Sequence, residues 1–260
     1  MLEVADSLIK ADGFNHLAGI VILAGGASKR MGSPKAELIL PTGERLLDYH
    51  VRQALELSAA MMSNMPIMLA DNGRGFSVNA DLIKSSKSSI FHIRDYLSAN
   101  ALSSKNISGK NLSNKDDKSI ETGGALVAIE SALQSLKRLA SSNPLTKDAS
   151  WQQSWLLVIS CDSLIPVTDL WRKLQPYMTQ AADKSVICLT DDSHLYPLLG
   201  LYRLYMEPDL KRYIDDEQRQ VMKFIKPIVQ PVAFVKKWQN LTNFNTPKDF
   251  ASACLALNNL

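Results

Sequence analysis

An α/β fold with a largely parallel sheet is predicted by three features of this chain. Short apolar runs alternate with amphipathic helical stretches along its 260 residues, which implies strands joined by helices that cover both faces of the sheet. One run, Ile20-Val21-Ile22-Leu23, opens directly into a loop holding Gly25, Gly26 and Gly32 together with Lys29, Arg30 and Lys35. Another, Trp155 to Ser160, is continuously apolar, as a strand buried on both faces requires, and delivers Cys161-Asp162 to its carboxyl end.

The elements follow in order. Residues 1–18 form an extension in which Leu2, Ala5, Leu8 and Ile9 suit one short amphipathic helix. A single domain then occupies 19–260. After the first strand and its loop, Leu46, Leu47, Val51, Ala54, Leu55 and Leu57 recur at helical spacing. Pro66 to Ala70 reads as the second strand, stopped by the turn signal Asp71-Asn72-Gly73. Ser89 to Ile93 is the third. Residues 97–120 are dominated by Ser, Asn and Lys with little to bury. A disordered or mobile insertion fits them better than a lid, since aromatic anchors are missing. Leu126, Ile129, Leu133, Leu136 and Leu139 define a helix starting near Gly123-Gly124, and a polar connection runs from Ser141 to Ser150. Beyond the Trp155–Ser160 strand, Pro166 to Met178 is expected as one helix. Ser185–Thr190 and Leu198–Tyr202 are expected as strands, Pro208–Ile214 and Gln218–Ile225 as short helices, and Val232–Val235 as the last strand. Thr246-Pro247-Lys248-Asp249 places a cap residue, a proline at the first helical position and an acid three residues after the cap. A terminal helix follows, with Phe250, Cys254 and Leu257 inward.

Bulk properties exclude several function classes. A formal net charge of +3 with 21% charged residues lacks the clustered basic patch of a nucleic-acid binder. Cys161, Cys188 and Cys254 are odd in number and widely spaced, which matches neither a disulfide framework nor a metal-ligand spacing and points to a reducing compartment. No apolar run reaches membrane-spanning length, and the first residues, with Glu3, Asp6 and Asp12, are not a secretory signal. A cytoplasmic protein acting on an anionic small molecule is expected, with no nucleic acid or membrane as partner.

The loop at 24–35 carries the chemistry. Glycines let backbone N–H groups approach a ligand closely, and cations neutralise its charge, so a polyphosphate held beyond the first strand is the natural occupant. The dinucleotide fingerprint Gly-x-Gly-x-x-Gly does not occur. The phosphate loop Gly-x-x-x-x-Gly-Lys-Ser/Thr fails as well, because five residues separate Gly26 from Gly32 and Ser33 follows. Asp162 stands where parallel sheets bind ligands. It is either a ligand for the Mg²⁺ that accompanies a triphosphate, which needs one or two protein carboxylates, or a cap for the helix near Pro166.

The pattern Leu23-Ala24-Gly25-Gly26-x-Ser28-x-Arg30-Met31-Gly32-x-x-Lys35 resembles the signature of the molybdenum cofactor guanylyltransferase family, within the nucleotidyltransferases. The resemblance covers about residues 19 to 258. It implies a Rossmann-like three-layer α/β/α fold of the nucleotide-diphospho-sugar transferase type. The implied activity is transfer of GMP from Mg-GTP to the terminal phosphate of molybdopterin, with release of pyrophosphate. By the same resemblance Lys35 is the principal phosphate contact, Arg30 its partner, and Asp162 the Mg²⁺ ligand. Leu23, Ala24, Gly25 and Gly26 cradle the nucleotide, with Gly25 favouring guanine. Asp95 contacts the nucleotide, and Asn72 is either a second contact or a plain turn residue. Lys29 falls at a variable position and reads as solvated charge.

Downstream, Arg219-x-Val221 and Asn243-Phe244-Asn245-Thr246-Pro247 match family elements, so the resemblance assigns Arg219, Asn243 and Asn245 to the acceptor. Tyr196 stands where the family has histidine. His194 nearby is either a loop residue or a substitute for it. The family's Gly-Pro-Leu-Ala-Gly is replaced by Gly123-Gly124-Ala125-Leu126-Val127, in a loop that shapes the base and acceptor pocket. Molybdoenzymes or cofactor-insertion proteins are the implied macromolecular partners. Competing readings are a transferase using CTP or another phosphorylated acceptor, and a nucleotide-binding protein without catalysis.

Overall fold

The computed structural model describes residues 16–260 apart from 27, 29, 97–122, 143–148 and 182. Residues 1–15 of the expected extension (1–18), the insertion at 97–120 and Lys29 therefore lie outside the described residues, while Leu17 and Ala18 belong to the first strand and not to an extension. Seven strands make one sheet: β1 (Leu17–Leu23), β2 (Ile67–Ala70), β3 (Ile90–His92), β4 (Trp155–Ser160), β5 (Val186–Thr190), β6 (Leu195–Arg203) and β7 (Val229–Ala233). Their spatial order is β3-β2-β1-β4-β6-β5-β7. All neighbouring pairs are parallel except those made by β6, which runs antiparallel to both β4 and β5. The predicted mostly parallel α/β sheet is the one observed.

Alternation along the strands builds two cores. Ile20, Ile22, Ile67, Leu69, Trp155, Leu157 and Ile159 face one layer together with Leu46, Leu47, Val51 and Ala54 of α1 (Leu46–Ala60). Val21, Met68, Leu156 and Val158 face the other, against Ile129, Leu133 and Leu136 of α2 (Gly124–Ser142). Each such side chain contributes roughly 1.5–3 kcal/mol by leaving water. Because both faces are covered, β1 and β4 are fully buried along their lengths, which explains their unbroken apolar sequence.

Several boundaries differ from the sequence expectation, among them the helix expected over 218–225, which covers Val221–Ile225. The helix expected over 166–178 is two, α3 (Val167–Leu174) and α4 (Tyr177–Gln180). Pro176 supplies no N–H and its ring opposes continuation, so the chain breaks there. The last strand is Val229–Ala233 rather than 232–235, running in register with β5 from Val186↔Val229 to Thr190↔Ala233. It includes Pro231, tolerated because β7 is an edge strand with one side unpaired. Strand β6 begins at Leu195, and its pairing with β5 jumps from Cys188↔Gly200 to Leu189↔Tyr196. That irregularity absorbs Pro197, bends the strand and carries Leu198 toward the ligand face of the sheet.

The crossover from β3 to β4 passes β1, so the chain leaves β1 to one side and later returns to the other. This reversal is a topological switch point, and the crevice lies beyond Leu23 and Ser160, which are paired neighbours. Among the described residues no helix is long and apolar enough to cross a membrane.

One buried carboxylate lies away from the crevice. Glu130 of α2 is wholly buried beside Glu207 of α5 (Glu207–Asp215). Burial first, and then the Glu207 charge, raise its pKa well above the unfolded value of 4.5, against weaker opposition from the Gln134 hydrogen bond and Lys211. Glu207 itself is held by Lys137 at 2.7 Å. A raised folded pKa means stability is full below the unfolded value and is lost as pH rises through the folded one. Glu130→Gln, which mimics the protonated form, is therefore expected to leave stability near wild type at pH 4 and to raise it at pH 9, read from urea midpoints. A gain confined to acid pH would contradict this.

Candidate active site

The crevice holds a cavity of about 400 Å³ lined by Leu23, Ala24, Gly25, Gly26, Ser28, Arg30 and Lys35 from the loop after β1. Asn72 and Asp95 enter after β2 and β3, Ser160 to Asp162 after β4, Gly124, Ala125 and Ala128 from the start of α2, and Leu198 and Asn245 complete the wall. Its size suits a nucleotide-scale ligand.

The loop is held from below and from both sides. The Ser28 hydroxyl accepts a hydrogen bond from the Lys35 N–H (3.2 Å) and donates to the Gly26 carbonyl (3.3 Å). Arg74 Nη1 donates to the same carbonyl at 3.0 Å. Met31, 6% exposed, anchors the loop to the core. Ser28 (φ 47°) and Gly32 (φ 79°) supply the left-handed turns that fold the chain back. Lys35 then opens a 3₁₀ turn, Lys35–Glu37. Its Nζ is aimed across the crevice, 3.2 Å from Asn245 Oδ1 and 3.5 Å from Asp162 Oδ2, and 5.6 Å from the Phe244 ring centre.

Asn245 arrives through backbone pairing. The Leu164 N–H donates to the Leu241 carbonyl at 2.7 Å, and Ser163 bridges Thr242, so the segment after β4 runs beside the one before Asn243. Asn243 takes φ 56°, a conformation that asparagine tolerates, and its carbonyl accepts from Asn245 Nδ2 at 2.9 Å. Phe244 is buried, 1% exposed. Val221–Ile225 forms α6, and Thr246 and Asp249 close a reciprocal capping box on α7 (Pro247–Leu257). Hydrogen bonds from the Asn245 N–H and the Thr246 hydroxyl, with Arg30 nearby, hold the Asp249 carboxyl below its ordinary value.

On the other wall, Asp71 is 2% exposed and accepts from the Gly73 N–H (3.1 Å), the Phe76 N–H (3.0 Å) and His92 Nδ1 (2.9 Å). That fixes Asn72 at φ 56° against the loop, so Asn72 is a turn residue and a cavity wall at once. Asp95 is half-buried. Burial raises its pKa, opposed by a hydrogen bond from the Gly123 N–H and reinforced by the nearby Asp71 charge. Cys161, also in the wall, is buried, and burial pushes its thiol far above the thiolate range, with Asp162 adding to the effect. It is thus no nucleophile at neutral pH.

The structure brings together Leu23, Ala24, Gly25, Gly26, Arg30, Lys35, Asn72, Asp95, Asp162 and Asn245. Two predicted acceptor residues are not in the cavity wall. Asn243 supports Asn245 from behind. Arg219 turns back on its own neighbourhood, donating to the carbonyls of Ile214 (2.7 Å) and Gln218 (2.8 Å); the carbonyls exposed at a helix end and in the turn after it attract that guanidinium. The Asp162 carboxylate meets Lys35 rather than capping a helix. His194 lies on an exposed loop beside Asp191, while the Tyr196 hydroxyl donates to Asp191 and its ring packs on Phe234 at 4.8 Å. Asp71, Arg74 and Leu198 were given no site role from the sequence, and Ser28 stood there only as a fixed position of the signature. Of the other three, only Asp71 carried a signal, an acid directly after an apolar strand.

Over β1, the glycine loop, α1 and β2, the chain is similar to nucleotidyltransferase domains. A family model described as the MobA-like NTP transferase domain matches residues 20–72, from β1 through the glycine loop and α1 to the end of β2. The fold is shared with molybdopterin-guanine dinucleotide biosynthesis protein A from Archaeoglobus fulgidus (TM-score 0.56, 16% identity, covering 93% of this chain and 100% of that one). It is shared equally with 4-diphosphocytidyl-2C-methyl-D-erythritol synthase from Anaerococcus prevotii (TM-score 0.55, 12% identity, 95% and 100% covered). No curated protein matches the chain.

Gly25 and Gly26 differ in why they are glycine. A Cβ on Gly25 would stand 3.0 Å from Asn72 Cβ and 3.2 Å from its amide nitrogen, whereas one on Gly26 would meet nothing within 4 Å. Gly25→Ala is expected to cost about 1–3 kcal/mol and Gly26→Ala under about 0.5 kcal/mol, measured by chemical denaturation. Equal costs would show that the loop does not lie against Asn72.

Proposed function

We propose that this protein transfers a guanylyl group from Mg-GTP to the terminal phosphate of molybdopterin and releases pyrophosphate. The observation that carries the reading is the convergence of Lys35, Asp162 and Asn245 within one crevice, beside a glycine loop bearing Arg30. A phosphate oxygen of the acceptor attacks the α-phosphorus in line. The new bond is P–O–P, the bond to the β-phosphate oxygen breaks, and the electron pair leaves on pyrophosphate. The acceptor oxygen is already ionised, so no protein base or nucleophile is needed, and the chain's work is positioning and charge neutralisation. Lys35 reaches the phosphates from below, and Arg30 grips two oxygens from the rim.

The donor set fits a metal that travels with the nucleotide. Among the described residues no three His, Cys, Asp or Glu side chains gather to hold an ion, but Mg²⁺ needs only one or two carboxylates alongside phosphate oxygens. Asp162, 28% exposed at its side chain, would supply one, with Asn245 Oδ1 beside it. When bound, the ion supplies Lewis-acid stabilisation of charge on the α-phosphate and the leaving group.

The preference for guanine rests on Gly25 and on the likeness of the matched segment to MobA-like domains. Packing against Asn72 gives Gly25 a second reason to be glycine. The Anaerococcus neighbour, of equal structural likeness, motivates CTP as the alternative. GTP with Mg²⁺ is expected to raise the melting temperature more than ATP, CTP or UTP. Pyrophosphate release with molybdopterin is expected to fall about 10²-fold or more in Asp162→Ala. Stabilisation by CTP alone would replace the guanylyl assignment, and unchanged turnover in Asp162→Ala would remove Asp162 from the site.

A further inference from the structure

Asp95 lines the cavity, and its backbone there is a short coil after β3 rather than a helix or strand. The neighbouring residue, Tyr96, reaches away from the cavity to α5. Its hydroxyl donates to Asp215 Oδ1 at 2.8 Å. Lys211, one turn earlier on the same helix, holds Asp215 and sits 5.5 Å from the centre of the Tyr96 ring. The ring packs at the edge of the core that includes Leu210 and Ile214. A carboxylate acceptor and a cation over the ring make this a stronger hold than a neutral hydrogen bond. Helix α5 is rooted in the core, and its first acid, Glu207, is buried against α2.

We infer that Tyr96 is a positioning residue: its bond to Asp215 fixes the Asp95 carboxylate within the nucleotide cavity. On its other side the Asp95 carboxylate accepts a hydrogen bond from the Gly123 N–H. With Tyr96 pinned on the far side, the main chain between them cannot turn, and the carboxylate keeps its aim. The inference rests on the proposed nucleotide site, and it reaches a residue that touches neither substrate nor metal.

The test is a thermodynamic cycle on the full chain, with Tyr96→Phe in the wild-type and Asp95→Ala backgrounds and GTP with Mg²⁺ as titrant. Tyr96→Phe is expected to weaken binding about three- to ten-fold, the effect of one hydrogen bond to a charged group diluted through one residue. In Asp95→Ala the same change is expected to have no further effect. Asp215→Asn, which keeps an acceptor, should stay within about two-fold of wild type, while Asp215→Ala should match Tyr96→Phe. Amide exchange at Gly123 supplies a readout independent of nucleotide and should quicken in Tyr96→Phe. If wild type binds no nucleoside triphosphate, the proposed function fails and the exchange readout alone decides the inference. Unchanged exchange at Gly123, or equal weakening in both backgrounds, would overturn it.

Discussion

The site depends on the parallel pairing of β1 with β4. Leu23 and Ser160 are partners at the end of that ladder, so the residues following each strand emerge side by side at one edge. The chain reaches them from opposite directions, which leaves the crevice open instead of filled by a connecting loop. Val21, Ile22, Leu157 and Val158 are wholly buried and close-packed beneath the crevice, which resists deformation. A polar apparatus at the strand ends is then positioned by apolar packing beneath it. Loss of one methylene-rich side chain here, as in Leu157→Ala, belongs with core truncations that cost about 2–5 kcal/mol.

Lys35 is poised rather than locked. Its contact with Asp162 is 3.5 Å long and both side chains are partly exposed, 15% and 28%, so the pair adds little to stability. The loop keeps its shape without it, through Ser28, Met31 and the hydrogen bond from Arg74 to Gly26. An arriving phosphate can therefore take the Lys35 ammonium without dismantling the loop. The opposite wall is more rigid, since buried Asp71 satisfies three donors and could not lose them cheaply.

Much of this was legible in the sequence, and the reasons are physical. Strands covered on both faces must be apolar throughout, so β1 and β4 announced themselves. Thr246-Pro247-Lys248-Asp249 encodes its cap in residue types that have few other uses together, and the capping box is there. Pro231 and Pro197 hid the limits of β7 and β6, because a proline is excluded from a strand only where its missing N–H is needed. Arg219 could not be placed from sequence. A guanidinium near a helix end has two destinations, a ligand or the carbonyls at that end, and only the fold chooses. Arg74 was invisible, and the role of Ser28, a signature position, could not be read, for a similar reason: their contacts depend on how a glycine loop folds back, not on any periodicity.

A structure of the protein with Mg²⁺ and a GTP analogue that resists cleavage at the α-phosphate tests the central claim most directly. The account predicts the triphosphate beyond the ends of β1 and β4, with Lys35 moved from Asp162 onto phosphate oxygens and the metal on Asp162. A nucleotide seated elsewhere, or a Lys35–Asp162 pair left intact beneath a bound triphosphate, would contradict it.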